Sequence, residues 1–287
     1  MKKLLLAVLC LMLCGCGTVE KKSTKLQIVT SIFPMTEFVK AVGGDCVEVI
    51  QMVPEGVEPH DWEPTAKDLA RLAQARLFVY NGGVEQWAGQ ALQAVQEKPV
   101  VAVCAGKKLL DLYGWGDPHT WVSPRRAIEE VKVITSALLK ADPQHGDVYT
   151  ANEQAFLQKL FSLHEKYGQL GDKKQGRKTF VTAHRAFGQL ASDYNLRMVA
   201  IAGLNPEVEP APADLQRVMA AVRKNKVRYV FFESLTSPKL AEMLAKETGI
   251  RTAVLDPLEG RQPEDKRSYY DIQCANLASL NREFVEN

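Results

Sequence analysis

Past residue 25 no apolar run is long enough to cross a bilayer as a helix. No two of the five histidines lie within four residues of each other, so the HExxH helix of a zinc protease is absent. Nor is there a CxxC pair. Three of the six cysteines fall in the first 16 residues, which leaves Cys46, Cys104 and Cys274. An odd number without close spacing excludes a disulfide framework and a thiolate zinc site, although one pair could be oxidised outside the cytosol. Each is expected to act as a small buried hydrophobe. Charge is nearly balanced, with 36 Lys and Arg against 34 Asp and Glu and a formal net charge of +2. No basic patch argues for nucleic acid and no acidic tract for a basic partner.

The amino terminus reads as an export signal. Lys2-Lys3 precede an apolar run from residue 4 to 14, too short to span a membrane. Leu13-Cys14-Gly15-Cys16 resembles a bacterial lipobox, which places cleavage before Cys16 and lipid on its thiol. The polar, lysine-bearing stretch that follows suits a tether. A multiply acylated terminus would hold the protein on a membrane surface. The expected division is a signal peptide over 1–15, a lipidated tether over 16–25, an amino-terminal lobe over 26–147, a linking helix over 148–172 and a carboxy-terminal lobe over 173–287. The remaining length suits two compact domains.

Strand-like runs at 26–32, 47–53, 77–80 and 99–103 alternate with helical patterns at 35–42, 66–73 and 84–95. A second series of strands follows at 179–182, 197–201, 229–232 and 252–255. Such alternation predicts an α/β fold of two lobes, each a mainly parallel sheet flanked by helices. Between the lobes, Phe156, Leu160, Leu163, Tyr167 and Leu170 repeat at four-three-four-three spacing without a proline. That is one long amphipathic helix, expected to pack across both lobes.

One pattern occurs twice. Glu58-Pro59-His60-Asp61-Trp62 and Asp117-Pro118-His119-Thr120-Trp121 both read acid, proline, histidine, any residue, tryptophan. Proline stiffens the step before each histidine, and a helix start follows each. Thr65 with Asp68 resembles a capping box, and Ser123-Pro124 reads as an N-cap followed by a first-turn proline. Neutral imidazole is the commonest metal ligand. His184 and Asp256 each close a predicted strand, where ligands bind in open α/β sheets. Together His60, His119, His184 and Asp256 make a four-donor set from four distant stretches, suited to a borderline divalent ion such as zinc. Glu233, at another strand end, is a candidate hydrogen-bond acceptor behind a ligand histidine. His145 in a polar turn and His164 on the long helix are expected to be structural, and Trp62 and Trp121 to pack.

The mature chain resembles the zinc- and manganese-binding solute-binding lipoproteins of bacterial ABC importers, the ZnuA/TroA-like family. The matching stretches are Ile28-Val29-Thr30-Ser31-Ile32-Phe33-Pro34, Glu58 to Thr65, Asp117 to Trp121, Thr182-Ala183-His184, Gly203-Leu204-Asn205-Pro206-Glu207 and Leu255-Asp256-Pro257, in the family's order. The resemblance implies two lobes joined by a backbone helix, with the metal between them. It also implies His60, His119, His184 and Asp256 as ligands. The expected activity is capture of Zn²⁺ and delivery to an ABC permease, by a monomer anchored outside the cytoplasm and without catalysis. Histidine at position 184 leans towards zinc. The segment from Lys107 to Gly116 is short and lacks the histidine-rich loop of many zinc-dedicated relatives, which keeps Mn²⁺ as the alternative. The contrasting functions are a surface adhesin with structural metal and a zinc hydrolase using Asp256 as base.

Overall fold

A computed structural model describes residues 25–98, 100–170, 178–206 and 208–285. The signal peptide, Cys16 and all of the tether but Lys25 lie outside the described residues. The first sheet is parallel throughout, in the order β2-β1-β3-β4, from β1 (Leu26–Thr30), β2 (Val47–Gln51), β3 (Leu77–Tyr80) and β4 (Val101–Cys104). The second repeats that order as β6-β5-β7-β8, from β5 (Thr179–Thr182), β6 (Arg197–Ala200), β7 (Tyr229–Phe232) and β8 (Arg251–Val254). Ile28, Val29 and Thr30 in β1, and Phe180 and Val181 in β5, are buried, as strands covered on both faces require.

In the first lobe the helices are α1 (Phe33–Gly43), α2 (Ala66–Leu72), α3 (Ala88–Ala94), α4 (Lys107–Tyr113) and α5 (Pro124–Ala141). The Thr65–Asp68 capping box that opens α2 is present in both directions. Ser123 occupies the N-cap position of α5, but its hydroxyl makes no cap bond and donates instead to Asp193 at 2.7 Å. A buried aspartate from the other lobe outcompetes the local helix end.

The predicted long helix is α6 (Gly146–Gly168), beginning two residues earlier than expected. Its stripe of Leu160, Leu163 and Tyr167 is fully buried, with Leu170 buried just beyond the helix and Phe156 partly so. Full burial of each leucine contributes about 1.5–3 kcal/mol. α6 lies against α5 and α1 of the first lobe and against α10 (Tyr269–Val285) of the second. Asn152 Nδ2 donates to the Val42 carbonyl in α1, and Tyr167 Oη to Gln273 in α10 at 2.8 Å. The second lobe also has α7 (Gly188–Asp193), α8 (Pro212–Asn225) and α9 (Lys239–Thr248). One apolar core runs without a break from Ile28 through Leu160 to Phe180 and Phe284, so the lobes share it. A smaller core lies under α8 and α9, around Val199, Val218, Val230 and Leu244.

Candidate metal centre

His60 lies on the loop between β2 and α2, with its backbone N–H donated to the Glu58 carboxylate at 3.0 Å. Burial, helped by the Glu259 carboxylate, pushes the Glu58 carboxyl up to about 7. His119 immediately precedes a 3₁₀ turn, Thr120–Val122, and is completely buried. Asp117 holds it twice, accepting its backbone N–H at 3.2 Å and lying 2.8 Å from Nδ1. His184 lies two residues past β5. The parallel register pairs Thr182 with Phe231, so two further residues on each strand put His184 beside Glu233. The Glu233 carboxylate contacts His184 Nδ1. Glu233 is the acceptor candidate singled out from the sequence, and the structure sets its carboxylate against the His184 ring.

Carboxylates that occupy Nδ1 of His119 and His184 set the tautomer, leaving Nε2 as the free donor on each ring. The Nε2 atoms converge on one carboxylate oxygen, Glu259 Oε1. It lies 2.8 Å from His119, 3.3 Å from His60 and 3.5 Å from His184. The Nε2 atoms of His60 and His119 are 3.4 Å apart, and all four donors lie within 4.8 Å of one another. Bonds of about 2.0–2.1 Å to a tetrahedral ion require donor–donor edges of roughly 3.3–3.4 Å. The His60–His119 edge has that length already, and the set as a whole is somewhat wider. His184 Nε2 is buried and makes no hydrogen bond, an orphan that a metal ion would satisfy.

The fourth donor differs from the sequence expectation. Asp256 is buried, but Oδ1 accepts the Leu258 N–H at 2.8 Å and Oδ2 accepts the Ser234 hydroxyl at 2.6 Å. The carboxylate grouped with the three imidazoles belongs to Glu259, three residues on. A strand-end rule locates the loop but not which side chain turns inward. The available signal was a second carboxylate, Glu259, in the same loop.

Burial opposes charge on His184, yet the Glu233 and Glu259 carboxylates outweigh it and raise its pKa well above the usual 6.5. His119 is raised against its burial by Asp117 and Glu259. Burial would raise Glu259, but His184 and the other two imidazoles hold it well below the usual carboxylate range. Without metal, therefore, the cluster retains protons that an ion must displace.

The remaining histidines lie elsewhere. His145 Nδ1 is 2.6 Å from Asp142, and His164 Nδ1 is 3.1 Å from the Tyr194 hydroxyl. Trp62 packs edge-on against Trp87 at 5.0 Å between centroids. Trp121 packs against the His119 ring at 5.4 Å and donates its indole N–H to the Pro257 carbonyl at 2.8 Å. Cys46, Cys104 and Cys274 are free and half-buried.

The profile of the family described as "Zinc-uptake complex component A periplasmic" matches residues 28–283. The chain is 38% identical to the high-affinity zinc uptake system protein ZnuA of Bacillus subtilis, over 92% of this chain and 89% of that protein. It is also 38% identical to the zinc-binding lipoprotein AdcA of Streptococcus pneumoniae, over 98% of this chain but only 61% of that longer protein. The crystal structure of the Zn(II)-bound ZnuA-like domain of the pneumococcal AdcA superposes with a TM-score of 0.81 at 39% identity, covering 91% of this chain and 100% of that one.

Proposed function

Because this chain belongs to the zinc-uptake complex component A (ZnuA) family, we propose that it captures Zn²⁺ outside the cytoplasm and delivers it to the permease of an ABC importer. The observation that carries the proposal is the convergence of His60, His119 and His184 Nε2 with a Glu259 oxygen, all within 4.8 Å of one another. Three imidazoles and a carboxylate suit zinc, and Asp117 and Glu233 fix two of the rings from behind. Four protein donors complete the set, so the reading assigns no position at which water would be activated and no catalytic step. Lipid on Cys16 would hold the protein at the membrane, as a monomer, with the lobes divided at about residues 148–172.

Release would act on the most accessible ligand. The His60 side chain is 10% exposed, whereas those of His119 and His184 are completely buried. Its loop is held to the second lobe by peripheral contacts. Asn205 Nδ2 donates to exposed Asp61 at 3.1 Å, and Gly56 N–H to the Arg261 carbonyl at 2.8 Å. A permease that displaced this loop would remove one ligand without separating the lobes.

The test is elemental analysis of protein purified without added metal, followed by competition between zinc and manganese. One zinc per chain that resists manganese is expected. A protein that takes up neither ion stoichiometrically would overturn the proposal.

A further inference from the structure

The loop that presents Glu259 is anchored at almost every polar atom of Asp256. Its backbone N–H donates to Asn276 Oδ1 at 2.8 Å, and its carbonyl accepts from Asn276 Nδ2 at 2.7 Å. Oδ2 takes the Ser234 hydroxyl, one residue beyond Glu233, which contacts His184. Oδ1 reaches forward to the N–H of Leu258, closing a turn of the kind that aspartate side chains form with the backbone two residues on. Leu258 is buried and has φ +58°, a left-handed conformation that a leucine seldom adopts unaided. The following residue is Glu259.

We propose that Asp256 is a positioning residue for zinc: by closing the turn on Leu258 it aims Glu259 at the three imidazoles. This rests on the zinc-site reading above. A free carboxylate in a loop has many rotamers and backbone paths, and a site whose donors must meet on one ion needs one of them. Asp256 supplies the constraint locally, and Asn276 and Ser234 pass it to α10 and to the end of β7. The role needs an acceptor oxygen at Oδ1 and not the negative charge. A ligand would need the charge.

That difference sets the experiment, which reads zinc affinity by competition with a chelator and coordination by the visible spectrum of the Co²⁺-loaded protein. Glu259→Gln should lose affinity strongly. If it does not, the zinc-site reading itself fails. Asp256→Ala should weaken zinc roughly 10–100-fold, the range for residues that orient a ligand, and should alter the cobalt spectrum. Asp256→Asn keeps the acceptor for Leu258 and should lose less than about tenfold. In a Glu259→Ala background, Asp256→Ala should cost no further affinity, because it acts only through Glu259. An Asp256→Asn loss equal to that of Glu259→Gln would make Asp256 a ligand and overturn the inference. An unchanged Asp256→Ala would overturn it too, as would a full additional loss in the double variant. Should Asp256→Ala fail to fold, Ser234→Ala removes only the hydroxyl that orients Oδ2. It should weaken zinc in the parent and not in the Glu259→Ala background, and the reverse pattern would sink the proposal.

Discussion

Arg126 grips Asp193 with two parallel bonds across the junction of the lobes, Nε to Oδ2 at 2.7 Å and Nη2 to Oδ1 at 3.2 Å, with both side chains 3% exposed. Arg126 lies in the first turn of α5 in the first lobe, and Asp193 ends α7 in the second. Ser123 donates to the same Oδ2 atom. Close by, the Tyr269 hydroxyl donates to the Trp121 carbonyl at 2.6 Å while the Trp121 indole reaches Pro257. On this side of the site the lobes are joined by buried, directional bonds in addition to their shared apolar core.

Removing one partner of that pair leaves a buried charge without its counterion. Asp193→Ala should therefore destabilise the protein by about 3–5 kcal/mol, measured by denaturant unfolding. Arg126→Lys should recover little, because an ammonium cannot reproduce the fork. A loss below about 1 kcal/mol would place the pair with exposed salt bridges and contradict its burial.

Zinc affinity should separate the histidines. His60→Ala and His119→Ala should weaken binding greatly, whereas His145→Ala and His164→Ala, whose rings face Asp142 and Tyr194, should leave it unchanged. Isothermal titration with a competing chelator would show this. Similar losses from all four substitutions would remove the basis for the site.

The pH dependence follows from the shifts at the site. His119 and His184 are raised, so without metal their stabilisation is complete below their unfolded value of about 6.5 and is lost as pH rises through the folded values. Glu259 is lowered, so its share is present above its ordinary 4.5 and lost as pH falls through the depressed value. Zinc competes with the imidazole protons. The increase in melting temperature on adding zinc should therefore be larger near pH 8 than near about pH 5.5 by calorimetry. An equal increase at both would mean that no protons are displaced.

Burial, with the Glu85 carboxylate adding to it, pushes the Glu130 carboxyl up to about 8 against the opposing pull of the Thr120 hydroxyl. A carboxyl raised in the folded state favours folding when protonated, and that advantage is lost as pH rises through the folded value. Glu130→Gln should lose less stability than the parent between about pH 6 and pH 9. If both proteins lose the same amount, Glu130 does not titrate in this range.

Metal removal should change the outline little. The shared core, α6 and the Arg126–Asp193 pair oppose a wide hinge, and the loop carrying His60 holds the most exposed of the three imidazoles. Small-angle scattering should give nearly equal radii of gyration with and without zinc, while hydrogen exchange should rise in residues 54–64. A large change in radius with unchanged protection there would show that the lobes hinge.

Much of this architecture is legible in the residues alone, because it depends on periodicity and backbone chemistry. Alternating apolar runs and helical spacings located the eight strands of the described residues to within about two residues at their ends. The Leu160–Leu163–Tyr167 stripe is buried where its spacing requires, and Thr65 with Asp68 makes the capping box that its chemistry predicts. The repeated acid-proline-histidine pattern and the strand-end His184 singled out the three imidazoles that the fold brings together. What only the tertiary structure decided is where loop and cap side chains point. Asp256 and Glu259 share one loop, and contacts with Ser234, Asn276 and Trp121, all distant in sequence, turn the first into the turn and leave the second facing the imidazoles. Ser123 had the chemistry of an N-cap, but an aspartate seventy residues away took its hydroxyl. Periodicity encodes which face of a helix or strand is buried. A loop has no period, so its side chains are aimed by whichever partners the rest of the fold brings within hydrogen-bond reach.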